Sequence, residues 1–252
     1  MIDYTRYCEN CADTAGLVAE TSPTGQRVVR PCPCRASKLP QLRWNKAMCE
    51  VEALKELSFE NLDANVPGAD GTLAIAKGAA MKFCEQWPVG LQGKGMIFTG
   101  NWGRGKTHLA VAMLRFLIFE RNVKRGAYLN ERRLFQTIRE SYDDEATARE
   151  AQILNPVVND LEILALDELG TGNMSEWKRD KLADILDTRI NKGLTTIITT
   201  NFSMKETGDN SLGERIGRLC YSRICMMCIH HAVTGDDFRQ GDGRATSEKL
   251  LY

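Results

Sequence analysis

Residues 100 to 107, Gly-Asn-Trp-Gly-Arg-Gly-Lys-Thr, carry the spacing G-x-x-x-x-G-K-T. An apolar run precedes them and an amphipathic run follows. In that context a glycine-rich turn wraps its backbone N–H groups around phosphate oxygens at the head of a helix. Gly100 and Gly105 permit the tight turn, and Asn101, Trp102, Gly103 and Arg104 complete the binding loop. Lys106 is spaced to reach the β and γ phosphates of ATP, and the Thr107 hydroxyl to ligate Mg²⁺. His108, on the first helical turn, is expected among the residues around the cofactor as a packing or outer-layer group and not as a catalyst.

A second constellation implies cleavage of the nucleotide. The run "LEILALDELG" (161–170) reads as a buried strand that delivers Asp167 and Glu168 at its C-terminal end, where parallel α/β sheets place their ligands. Asp167 is expected to hold Mg²⁺ through water, and Glu168 to orient and deprotonate the attacking water. The run "LTTIITTN" (194–201) ends in Asn201, whose amide is suited to bridge that water and the γ phosphate. Its other reading is a turn cap.

The elements that must position these groups follow from the alternation of short apolar runs with longer helical patterns. Strands are expected at 95–100, 126–130, 161–169, 194–201 and at "ICMMCIHHAV" (224–233). Helical patterns lie between them, which is how a parallel sheet with crossover helices reads. The fold class is α/β. Residues 51–94 form a helical lead-in, where Leu73, Ala76, Ala80 and Phe83 share one helical face, and 95–252 form the ATPase domain.

Residues 1–50 differ. Cys8 and Cys11 are spaced C-x-x-C, and Cys32 and Cys34 C-x-C, around a short hairpin-like stretch too small to build a core. Four thiolates in two close pairs suit tetrahedral Zn²⁺, whose binding supplies the folding energy of such a head. From Thr21 to Cys49 there is no acidic residue, while Arg27, Arg30, Arg35, Lys38, Arg43 and Lys46 are basic. The head is therefore the expected zinc-binding, partner-docking module. A rival cluster, Cys225, Cys228, His230 and His231, reads instead as packing, as do Cys49, Cys84 and Cys220.

Taken in order, "GNWGRGKTHLA", "LDELG", "IITTNFS" and "LGERIGRLCYSRI" resemble the DnaC-like helicase loaders and the related IstB-like transposition ATPases of the AAA+ superfamily. The likeness covers roughly residues 59 to 240. It implies an AAA+ ATPase that assembles as a homo-oligomer with ATP at subunit interfaces and loads a replicative hexameric helicase onto single-stranded DNA. The alternative it implies is a transposition helper that binds double-stranded target DNA and recruits a transposase. It also implies an arginine finger, with Arg223 of "YSRI" the first choice and Arg218 the second. On a helix the two lie about 140° apart, so both cannot aim at one phosphate. Arg239 resembles the later arginine that contacts the nucleotide of its own subunit. Arg132, Arg133 and Arg139, between the second and third strands, are the expected single-strand contacts.

The 33 basic and 33 acidic side chains balance, which excludes a global electrostatic grip on nucleic acid. No apolar run reaches the roughly 18 residues needed to cross a bilayer, and the opening "MIDYTRYCEN" lacks a basic-then-apolar leader pattern. The expectation is a cytoplasmic protein without a membrane partner.

Overall fold

The computed structural model describes residues 16–48, 51–65, 70–89, 91, 93–140 and 161–238. Five parallel strands form the central sheet: β3 (Gly95–Thr99), β4 (Gly126–Asn130), β5 (Ile163–Asp167), β6 (Thr195–Thr200) and β7 (Cys228–Ala232). Their spatial order is β4-β5-β6-β3-β7. Every residue of β3, β5 and β6 is buried, as expected of central parallel strands covered on both faces. β4 and β7, at the two edges, are partly exposed.

Alternation along β3 separates two apolar cores. Met96 and Phe98 pack with α1 (Arg35–Ala47), α2 (Thr72–Gln86) and α3 (Lys106–Glu120), whereas Ile97 packs on the opposite face. That second face is covered by α4 (Glu131–Glu140), α5 (Glu176–Asn191), α6 (Leu212–Ile216) and α7 (Arg218–Met227). The result is an α/β/α sandwich of the doubly wound kind. Leu73, Ala76, Ala80 and Phe83 of α2 are all buried, as their spacing predicts.

Two expectations need correction. The run 224–233 is not one strand, because Cys220, Ile224 and Met227 are buried at helical spacing and belong to α7, and pairing begins only at Cys228. The segment up to residue 50 is also not all head. β1 (Leu17–Thr21) and β2 (Arg27–Pro31) form an antiparallel hairpin, but α1 and its C-cap join the core beside the sheet through Trp44, Ala47 and Met48. Trp44 is 2% exposed, meets Phe119 edge-on at 6.3 Å and lies under the Arg115 guanidinium at 5.7 Å. Its truncation leaves a cavity where a large ring stood. Trp44→Ala is therefore expected to cost roughly 3–5 kcal/mol of stability, read as a fall in the denaturation midpoint.

Candidate functional site

The phosphate-type loop emerges where β3 ends. Gly105, at φ +83, caps α3 in a left-handed conformation, which glycine adopts without steric cost. At Gly103, φ +74, a Cβ would stand 1.6 Å from Oδ1 of Asp237. The backbone there is gripped by the segment after β7, and the Phe238 N–H donates to the Gly103 carbonyl at 3.1 Å. This C-terminal wrapping has no motif in the sequence. Lys106 is buried, and its ammonium donates to the Asn101 carbonyl at 2.6 Å. Arg104 Nε is a buried donor with no hydrogen-bond partner among the described residues, and Trp102 is exposed.

β6 lies between β3 and β5, so the ends of three strands converge on one edge. There the loop meets the carboxylates: the Thr107 hydroxyl stands 3.0 and 3.1 Å from the two oxygens of Asp167. Asp167 is buried and also accepts from the Tyr128 hydroxyl at 2.5 Å and from the Thr199 hydroxyl. Burial first, then the Asp167 charge, pushes the Tyr128 phenol up, so it stays a donor. Hydroxyl and carboxylate oxygens are the hard donors that Mg²⁺ takes. Together with a lysine in a glycine turn and an orphaned arginine nitrogen, this donor set fits a Mg²⁺-bound nucleoside triphosphate.

Glu168 is exposed and left-handed at φ +59, a conformation that costs a non-glycine residue roughly 1–3 kcal/mol and concentrates at functional sites. Its carboxylate accepts from Asn130 Nδ2 at 2.7 Å, and its N–H donates to Thr199 Oγ1 at 2.9 Å. Asn201 follows β6 directly and is buried. Gly100, Lys106, Thr107, Asp167, Glu168 and Asn201 are thus brought to one sheet edge. Tyr128, Asn130 and Thr199 join them unforeseen, although the C-terminal polar ends of "GAYLN" and "TTIITTN" were the available signal.

Other expected residues fall elsewhere. His108 turns to the lead-in, its Nε2 2.9 Å from both the Ser58 carbonyl and Asn61 Oδ1, and burial lowers its pKa. It ties α3 to residues 58–61. Arg223 pairs with Asp187 of α5, Arg218 with Glu206 at 2.7 Å while its side chain is 87% exposed, and Arg239 lies outside the described residues. Arg132 and Arg133 are exposed on α4; nothing is described of the Arg139 side chain.

Cys32 and Cys34 bring their sulfurs to 3.5 Å at the foot of the hairpin, while Cys8, Cys11 and Cys49 lie outside the described residues. Among the described residues no group of three or more metal-type ligands converges. The rival cluster does not gather, for Cys225 is exposed on α7, Cys228 is buried in β7 and His230 bonds Thr99 at 2.8 Å. Burial raises the Cys228 thiol to about 12. The exposure of Cys225 corrects its reading as a buried packing residue.

The model of the IstB-like ATP binding proteins matches residues 42–245. The chain belongs to this family. The replicative helicase loader DnaC of Escherichia coli is 27% identical over 159 residues, 63% of this chain and 60% of that protein. DnaC of Buchnera aphidicola is 28% identical over 191 residues, 72% of this chain and 74% of that protein. The crystal structure of the DnaC helicase loader superposes with a TM-score of 0.59 at 25% identity, covering 73% of this chain and 99% of that one. The IstB-like chain thus spans about three fifths of the E. coli loader's length and has the AAA+ α/β core. No helix among the described residues is long and apolar enough to cross a membrane.

Proposed function

We propose that the chain is an AAA+ ATPase that loads a replicative hexameric DNA helicase onto single-stranded DNA in the cytoplasm. The observation that carries the ATPase reading is the junction of Thr107 with Asp167 beside a Glu168 held by Asn130. The glycine turn and Lys106 bind the phosphates. Thr107 and Asp167 would hold Mg²⁺, which supplies charge neutralisation at the β and γ oxygens. Glu168 takes the proton of the attacking water, with Asn130 fixing the carboxylate and Asn201 orienting the γ phosphate. A copy of the chain supplies Arg223, or failing that Arg218, to the neighbouring site. ATP then holds subunits together and hydrolysis releases them.

The loader reading rests on the DnaC relatives. The transposition-helper reading shares the same nucleotide site and rests on the resemblance to the IstB-like transposition ATPases, while the matching family's description names ATP binding. The test is co-purification with a hexameric helicase against a transposase, followed by turnover with single- and double-stranded DNA. Stimulation by single strands and helicase capture support loading; capture of a transposase and stimulation by duplex contradict it.

The hairpin is proposed as a zinc-binding docking module with Cys8, Cys11, Cys32 and Cys34 as ligands. The 3.5 Å approach of the Cys32 and Cys34 sulfurs supports this, since two thiolates on one tetrahedral Zn²⁺ stand about 3.8 Å apart at Zn–S distances of about 2.3 Å. Metal analysis of the freshly purified chain is expected to give about one zinc per chain at such a four-thiolate site, lost in a Cys32→Ser, Cys34→Ser double variant. Less than half an equivalent contradicts the assignment.

A further inference from the structure

The turn that carries Glu168 is held from two sides by residues outside the proposed nucleotide site. Gly170, at φ +85, has its N–H bonded to the Glu131 carboxylate at 2.5 Å. Its carbonyl accepts from Arg215 Nε at 3.0 Å. Glu131 is fully buried at the start of α4, and its other oxygen would stand 2.9 Å from any Cβ at Gly172. Arg215 belongs to α6 and stacks over Phe202 at 4.8 Å. The two peptide units that flank Gly170 are therefore clamped, one by α4 and the other by the arm that continues into Arg218 and Arg223.

The position of the clamp gives it a consequence. Glu168 sits two residues before Gly170 and is itself left-handed. Thr171 closes the turn by donating its N–H and its hydroxyl to the Glu168 carbonyl, at 3.2 and 2.7 Å. Releasing either of the two bonds at Gly170 lets the turn relax from this conformation, and the carboxylate leaves the place where Asn130 holds it. We propose that Glu131 and Arg215 are positioning residues for Glu168, and that Arg215 links the arginine arm to the water-activating group of its own chain. Arg215 is then not a finger for a neighbour. This rests on the hydrolysis reading above.

The test uses the full chain with Arg215→Ala, Arg215→Lys and Glu131→Ala, checked for folding by thermal melting. Lysine keeps the charge but loses the planar fork and its stacking, so it serves if the alanine variant does not fold. Turnover is expected to fall roughly 10²-fold from misplacement of the carboxylate while ATP affinity stays within about twofold, a change of under half a kcal/mol. In a Glu168→Gln background the same changes are expected to cost nothing further, which a general loss of stability would not produce. Unchanged turnover, a parallel loss of affinity, or losses that multiply with Glu168→Gln overturn the proposal. Amide hydrogen exchange needs no turnover: Gly170 is expected to be protected in the wild type and exposed in Glu131→Ala, and equal exchange overturns the clamp. A wild-type chain that turns over no ATP contradicts the hydrolysis reading instead.

Discussion

Glu168→Gln is expected to lower ATP turnover about 10²–10⁴-fold, the worth of a positioned general base, while ATP affinity stays near that of the wild type. Glutamine keeps the shape of the side chain and an acceptor for Asn130 Nδ2, which lies 2.7 Å from the carboxylate. What it loses is the basic oxygen. Because Glu168 stands exposed beside the buried Asp167, the change leaves the hydroxyl network of Thr107, Tyr128 and Thr199 around Asp167 intact. Phosphate release and nucleotide titration on the same preparation check it. Full turnover would remove Glu168 from the chemistry.

Arg223→Ala is expected to abolish assembly-dependent hydrolysis, with a loss of the 10³–10⁵-fold order that an arginine finger carries, and to leave ATP binding nearly intact. In a single chain Arg223 is engaged by Asp187, so reaching a neighbour's phosphate requires that pair to open. The pair is partly exposed, and such ion pairs hold weakly. Mixing supplies the decisive control. Arg223→Ala subunits have a sound phosphate loop, and Lys106→Ala subunits a sound Arg223, so mixed assemblies regain turnover that neither variant shows alone. If only Arg218→Ala behaves in this way, the exposed Arg218 is the finger instead.

The parts of the site written in local sequence were legible. A glycine turn between strand and helix, and a carboxylate pair after a fully apolar run, have their geometry fixed by neighbours in the chain, and the structure joins them through Thr107 and Asp167. Tyr128, Asn130 and Thr199 were not legible as site residues. Their role depends on strand order, which sets β4 and β6 on either side of β5, and order is a long-range property. The Gly170 clamp is hidden for the same reason: Glu131 and Arg215 stand 39 and 45 positions from Gly170. At 224–233 apolar character alone did not separate a buried helix end from a strand. Trp44 was overlooked because a basic, proline-containing helix of low mean hydropathy does not read as a core element, although its buried face seals one side of α3.

The most direct measurement is ATP affinity of the wild type against Lys106→Ala by equilibrium titration with Mg²⁺ present. On the proposed reading the variant loses a charged contact to the phosphates, and it is expected to bind at least about 10²-fold more weakly. A Lys106→Ala chain that holds ATP as tightly as the wild type would mean that the triphosphate does not lie in the turn at 100–107.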